Sequence, residues 1–522
     1  MSEELAKLLD LKTAWARVRR DFQNRVFIRH PYAIELIEWD LDGWLGEQRD
    51  AIHGGQYSPS SMFVCDVPKG NELIRPGSHL GFEDRLIYAA CVGACYPMIY
   101  ERLRWSQNVV DFSYRLNNPG RTDWLRDRFT GWKEFQRKSV DSVGARISHV
   151  VVADITAFYE NIDLSLLSSD LRDLDVPPPA IEQLGACLNR WAQAQISGRG
   201  IPQGQSPSDI LAKVYLDNID RILRDMGYRH LRYVDDIRIF CKSRLEAKQV
   251  LVDLSKLLRK RGLNLQSKKV EIYDAAVARA KFEEVTARVR SVKEAFIDAI
   301  EGDPYMSVYE ADKVLDENPD NAPLEIIQEA YRRYIIDGGD DFDDTLFRFL
   351  LSRLGKQRNS FAAQHCLTLL EPHPEETQYV LGYFHAIGPG EEIEARLTAF
   401  LRSPDCMYEY QRYQIIEWFY EHATGPSTNL VNAVRRFAFN ANSQRYLKTF
   451  SRAFLGKFGT SADIERIASE YNETNDPSER AEIICSIGRM EVGRRNAFLG
   501  RVANDGRKPS RAARWVRSRS WG

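Results

Sequence analysis

The chain has 522 residues, a formal net charge of −2 and an ordinary globular composition, 43% hydrophobic and 28% charged. That length exceeds what one hydrophobic core supports and predicts two or three domains. No apolar run approaches the roughly 20 residues of a membrane span, which excludes an integral helical membrane protein. A near-neutral total excludes nothing about nucleic acid, since a basic groove can be offset by acidic surface elsewhere.

In chain order, residues 3–24 and 32–52 show helical spacing, with Leu8, Leu9, Trp15 and Val18 on one stripe and Ile34, Ile37, Leu41 and Trp44 on the next. The first is charged and lacks an apolar signal core, so secretion is not expected. Eight cysteines (Cys65, Cys91, Cys95, Cys187, Cys241, Cys366, Cys406, Cys485) are scattered without a CxxC pair. They read as reduced core thiols of a cytoplasmic protein.

Residues 57–76 change texture: an extended 62–68 segment, a Lys69-Gly70-Asn71 turn and Arg75-Pro76 predict a small β-element carrying two cations. A long buried helix is predicted over 82–104, entered through Glu83, Asp84 and Arg85, and an amphipathic one over 124–140. His149 to Ala153 is a short apolar, β-branched run ending in Asp154. Helical patterns over 164–174 and 181–195 flank Pro177-Pro178-Pro179. Gly200-Ile201-Pro202-Gln203-Gly204 forms a loop before a helix that opens on a Ser206-Pro207 cap.

Leu231 to Cys241, L-R-Y-V-D-D-I-R-I-F-C, predicts a strand, a two-residue turn at Asp235-Asp236 and a second strand. Tight hairpins favour Asn-Gly or Asp-Gly, whose residues tolerate positive φ, and adjacent carboxylates repel. A turn that breaks both rules points to a bound cation. A helix over 245–261 follows, then Lys268, Lys269 and a last strand before 273. Strands and helices intermingle up to about residue 275, so the class is α+β.

Beyond 275 the pattern is helical throughout. One or two helices are predicted over 276–315, then short helices every 35–45 residues, broken at Pro and Gly clusters. Asp476 to Met490 reads as a unit of a HEAT-like solenoid, and an ordinary all-α domain is the alternative. Nine basic residues from Arg494 to Arg519 crowd the end of the chain with Asp505 as the one acid among them. That run fits either a polyanion contact or a solvated or subunit-contacting helix end.

The chemistry concentrates in three stretches in fixed order. Asp154 is followed by I-T-A-F-Y-E-N-I, then comes G-I-P-Q-G at 200–204, then Y-V-D-D at 233–236. A strand-end Asp beside a hairpin acid pair can hold two Mg²⁺ ions that stabilise both oxygens of an in-line phosphoryl displacement, and hard carboxylates suit Mg²⁺. Asp154 and Asp235 are the expected ligands and catalytic residues, with Asp236 in a weaker, supporting place.

These stretches resemble the three palm motifs of reverse transcriptases, and the resemblance extends over about residues 55–275. Tyr57 with Pro59, Val67-Pro68-Lys69, Arg75-Pro76 and Phe112-Ser113-Tyr114-Arg115 are similar to the fingers segments, and Gly262-Leu263-Asn264 with Lys268 to the segment after the palm hairpin. The resemblance implies a right-hand polymerase with palm and fingers over 1–275 (N-terminal helices 1–55) and an all-α, HEAT-like domain over 276–522. It implies that Tyr159 is a steric gate selecting dNTPs, that Gln203 and Gly204 pack on nucleotide and template, and that Lys69, Arg75 or Arg85 holds the triphosphate. Lys268 is then the candidate proton donor to the leaving pyrophosphate. Structural alternatives stay open: Arg85 pairs with Glu83 or Asp84, and Tyr159 is a core aromatic.

No RNase H pattern, endonuclease motif or zinc cluster accompanies these motifs, and roughly 240 helical residues stand where a thumb is expected. That plan resembles the bacterial abortive-infection and defence-associated "unknown group" reverse transcriptases. It implies RNA-directed or template-independent DNA synthesis in antiphage defence, homo-oligomers, an RNA template or partner non-coding RNA with a DNA product, and in several members DNA synthesis begun on a tyrosine of the protein itself. The competing expectations are a retron-type or group-II-like enzyme copying its own structured RNA, and a helical scaffold whose polymerase domain is inactive.

Overall fold

The computed structural model describes residues 2–24, 27–70, 72–126, 128–283, 291–292, 324–338 and 342–521. The helices expected over 276–315 lie outside the described residues except for a helical stretch over 275–283 and residues 291–292. The chain opens with α1 (Ser2–Leu8), α2 (Leu11–Asn24), α3 (Ala33–Glu38) and α4 (Leu41–His53), then the hairpin of β1 (Phe63–Lys69) and β2 (Leu73–His79). It continues through α5 (Phe82–Leu103), α6 (Arg128–Ser142), β3 (His149–Asp154), α7 (Phe158–Asn161), α8 (Leu164–Arg172), α9 (Pro178–Ala192) and α10 (Ser206–Asp225). Strands β4 (Arg229–Tyr233) and β5 (Asp236–Cys241), helix α11 (Arg244–Lys260) and β6 (Glu271–Asp274) complete this half.

Two compact units result. The first comprises residues 1–29, 41–65 and 76–285; the second comprises 30–40, 66–75 and 286–522.

In the first unit a four-stranded antiparallel sheet in the order β4-β5-β3-β6 carries the acidic motifs. Its central strands β3 and β5 carry the apolar, mostly β-branched runs Val150–Ala153 and Ile237–Cys241, interrupted only by Arg238, as strands buried in a core require. On one face Val150, Leu231 and Phe240 join Phe112, Phe135 and Phe282 in a core cluster, with Trp132 and Tyr233 packed against it. Successive side chains alternate across a strand, so Val151 and Ala153 of β3 point to the other face, where α11 packs on β3 and β5. Helix α5 is buried along most of its length and packs between α2, α9 and α10.

The structure moves several boundaries. The helix expected from 124 starts at Arg128, because Trp124 and Leu125 are taken up by backbone pairing with residues 115–117. Helix α9 begins at Pro178 rather than 181, since proline suits a first turn that has no partner for its N–H. Ser206 is not the cap of α10: the cap is Gln205, and the Ser206 hydroxyl donates to Asp21 at 2.6 Å. All eight cysteines are buried free thiols.

In the second unit, helices beginning at residues 344, 377, 409, 445, 477 and 507 each contact the next, and helices beginning at 363, 391 and 428 do the same. The result is two rows of helices stacked pair on pair. The repeat is 28–37 residues by those starting positions, mostly shorter than the sequence expectation of 35–45. No helix among the described residues is long and apolar enough to cross a membrane.

Candidate active site

Asp154 ends β3 directly opposite Asp236, the first residue of β5. Paired residues of antiparallel strands project from the same face. Asp235 precedes them in the turn, and its carbonyl accepts a hydrogen bond from the Ile155 N–H at 3.2 Å. The three acids therefore share one end of the sheet. The expected turn at Asp235-Asp236 is corrected by one residue: Tyr233 pairs with Asp236, and the turn is Val234-Asp235. Positive φ falls on Val234, at +56°. A β-branched residue adopts that conformation only under constraint, so turn propensity alone places it on the acids instead.

The constraint is visible. Arg232 of β4 donates from Nη1 to the Val234 carbonyl at 3.0 Å, from Nη2 to Asp111 at 2.9 Å and from Nη2 to Asp220 at 2.7 Å. Lys213 of α10 pairs with Asp111 and donates to the Ser113 carbonyl, while His230 meets Asp220 at 3.2 Å. Asp111 and Arg232 are 1% and 2% exposed. Despite burial, Arg232 and His230 hold the Asp220 carboxyl down to about 2. A cluster of balanced, buried charges thus grips the acid-bearing turn from behind.

Burial, then Asp236, then Asp154 push the Asp235 carboxyl up to about 6. Lys269 Nζ donates to Asp154 Oδ2 at 2.8 Å, and that bond raises the lysine's affinity for its proton. Accumulated negative charge and an ammonium already drawn to it are what a divalent-cation site of hard carboxylates presents. The donor set therefore fits Mg²⁺, with Asp154 and Asp235 as the residues that would hold it. Among the described residues no three His, Cys, Asp or Glu side chains are already gathered as a ligand group.

Tyr159 lies on α7, behind Ala157, whose φ is +45°. Its ring is buried and its hydroxyl donates to Asp209 Oδ1 at 2.7 Å. Burial and then Asp209 push that phenol well up. Gln203 exchanges hydrogen bonds with Ser78 of β2, and its side-chain Oε1 is buried without a hydrogen-bond partner among the described residues. Gly204 has φ of +88°, and a Cβ there would stand 2.6 Å from the Phe27 ring. The loop needs glycine for both reasons.

The cations separate. Arg85 is 3% exposed, donates from Nε to the Leu80 carbonyl at 2.8 Å and meets His79; burial pushes it down to about 10. It does not pair with Glu83 or Asp84, for Asp84 is taken by Tyr57 and Ser60. Lys69 and Arg75 are exposed on the β1–β2 hairpin, in the part belonging to the second unit. Lys268 is exposed on a short 3₁₀ turn; its neighbour Lys269, which sequence reasoning passes over, is the one on Asp154. Asp209 and the Arg232 cluster are missed in the same way. The one sequence signal was charge inside otherwise apolar elements, Arg232 within L-R-Y-V and Lys213 within a buried helix.

A family model described as reverse transcriptase (RNA-dependent DNA polymerase) matches residues 67–293. A search of curated proteins found no match. Among solved structures, telomerase from Candida albicans in complex with a fragment of telomeric RNA matches at 12% identity and a TM-score of 0.33, covering 68% of this chain and 64% of that one. Apo telomerase from Candida tropicalis matches at 11% identity and a TM-score of 0.33, covering 68% and 69%. The chain thus spans just under two thirds of the first of these structures. Residues 67–293, which bring Asp154, Asp235 and Asp236 to one end of one sheet, thus match a reverse-transcriptase domain.

Proposed function

We propose that the chain is a Mg²⁺-dependent DNA polymerase that copies RNA, acts in antiphage defence and works as a homo-oligomer in the cytoplasm. The observation that carries the reading is the β3–β5 register, which sets Asp154 opposite Asp236 with Asp235 one residue away. Asp154 and Asp235 hold Mg²⁺ in this reading, with Asp236 in support; when bound, the ions neutralise phosphate charge and polarise the reacting oxygens. Tyr159, fixed through its hydroxyl to Asp209, is the wall that a ribose 2′-hydroxyl meets, so dNTPs are preferred. Gln203 and Gly204 line the nucleotide and template side, and the exposed Lys69, Arg75 and Lys268 are offered to phosphates. Arg85, spent on the Leu80 carbonyl, supports that region from inside.

Support for the defence setting is the plan of the chain: a reverse-transcriptase domain followed by two stacked rows of helices. Priming on a tyrosine of the chain itself belongs to the same reading. Primer extension on an RNA template with labelled dNTPs tests it: wild type extends and Asp235→Asn does not. Equal extension by both proteins refutes the polymerase. Label that never co-migrates with protein on a denaturing gel refutes self-priming, and sequencing the co-purifying nucleic acid separates a dedicated structured RNA from a general template.

A further inference from the structure

The basic end of the chain folds as two helices of the second unit, over Val492–Arg501 and Arg507–Ser518. Part of its charge is used internally. Arg511 pairs with Asp40 at 2.8 Å, Arg519 with Glu35, and Arg494 with Glu465. Arg495 and Lys508 spend hydrogen bonds on the Gly488 carbonyl and the Ser478 hydroxyl. Four arginines remain: Arg501, Arg507, Arg514 and Arg517 are exposed, and among the described residues none has a carboxylate partner.

These four are gathered. Residues 507, 514 and 517 fall within about 80° of one another around a 3.6-residue helix, over about 15 Å of its axis. A Cβ on Gly500 would lie 3.7 Å from the Arg517 guanidinium, which brings the preceding helix and Arg501 alongside. The hydroxyl residues Ser510 and Ser518 lie on the same face, while Trp515 and Val516 are buried on the far side. Concentrated like charge on a folded surface is unfavourable unless something of opposite sign meets it.

We infer that Arg501, Arg507, Arg514 and Arg517, on the second unit, form a docking surface for the phosphodiester backbone of single-stranded nucleic acid. Guanidinium forks suit repeated phosphates better than ammonium groups do, and eight of the nine cations in this tract are arginine. An anionic membrane is disfavoured, because an interfacial helix needs an exposed apolar face and the helix over 507–518 buries its apolar residues inside the unit. The choice of nucleic acid over another polyanion rests on the polymerase reading.

The test is fluorescence anisotropy with a labelled 30-nucleotide single-stranded DNA, and separately RNA, titrated with full-length protein at several salt concentrations. Arg501→Gln/Arg507→Gln/Arg514→Gln/Arg517→Gln is compared with wild type, and with a control lacking two exposed arginines of another helix, Arg396→Gln/Arg402→Gln. Removing four guanidinium–phosphate pairs from a single strand flattens the slope of log K against log salt by about 3. The expected result is that flattening together with at least tenfold weaker binding at low salt, while the control matches wild type. Loss on DNA alone or RNA alone identifies the strand bound. An unchanged slope, an equal loss in the control, or no binding by wild type overturns the surface. Should the fourfold variant not fold, Arg507→Gln/Arg514→Gln is read the same way, with half the change in slope. Weakened binding in a protein that extends no primer refutes the polymerase and leaves the surface standing; normal extension with unchanged binding does the reverse.

Discussion

The Arg232 guanidinium donates to the Val234 carbonyl at 3.0 Å while bound to Asp111 and Asp220. One buried side chain therefore joins an ion cluster to the strained residue beside Asp235. Left-handed backbone at a β-branched residue costs about 1–3 kcal/mol, and this bond is one of the contacts that holds it. Arg232→Lys keeps the charge but loses the fork, leaving the buried carboxylates short of donors; the expected loss is about 3 kcal/mol. Val234→Gly removes the need for constraint. In a double-mutant cycle read by urea unfolding, Arg232→Lys is expected to cost less in the Val234→Gly background. Strict additivity would show that the arginine serves the cluster alone.

The acidity of Asp235 gives a stability profile of definite sign. Its folded carboxyl holds a proton up to about 6, against 3.8 for the ordinary group. That contribution is complete below about 4 and is lost as pH rises through 6, leaving a half-buried carboxylate that repels its neighbours. In EDTA, Asp235→Asn is expected to be more stable than wild type by about 2 kcal/mol at pH 8, with the gap closing as pH falls to 4. Mg²⁺ at pH 8 should raise the Tm of wild type and leave the variant nearly unmoved. Equal pH profiles for the two proteins would remove the acid cluster from the account.

Lys268 and Lys269 offer a comparison one residue apart. Lys269 touches Asp154 and Lys268 does not. The Lys269 side chain is 55% exposed, so the pair adds little to stability, and neither Lys268→Ala nor Lys269→Ala should move Tm by more than about 1 °C. Activity should separate them: Lys269→Ala lowers dNTP incorporation at least tenfold and Lys268→Ala less than threefold. A reversed order would return the role to Lys268.

The contrast shows what the sequence carries and what it does not. The apolar runs before Asp154 and after Asp236 made the central strands legible, because strands packed into a core need apolar residues on the faces they cover. Which lysine of an adjacent pair faces Asp154 depends on a 3₁₀ turn over Ser267–Lys269, and nothing in periodicity sets that. Arg85 looked available because three charged residues open α5, yet the local chain folds back so that His79 and the Leu80 carbonyl take its donors. Lys213 and Asp220 lie on α10, Arg232 on β4 and Asp111 in the segment between α5 and α6, and no sequence spacing links the three stretches. Their mutual neutralisation exists only once the sheet and α10 have packed.

Tyr159 offers the clearest division between a structural and a selective role. Its hydroxyl donates to Asp209, and its ring is what excludes a larger sugar in the proposed function. Tyr159→Phe removes only the hydroxyl and leaves the buried Asp209 short of a donor, which costs about 1–2 kcal/mol but preserves the wall. It is expected to keep the preference for dNTPs within threefold of wild type. Tyr159→Ala removes the wall and opens a cavity, at about 3–4 kcal/mol, and should raise the ratio of rNTP to dNTP incorporation at least tenfold. The ratio is the decisive quantity, because a general loss of fold lowers both rates together and leaves it unchanged. If Tyr159→Ala stays folded and discriminates as wild type does, Tyr159 is a core aromatic and the sugar is sensed elsewhere.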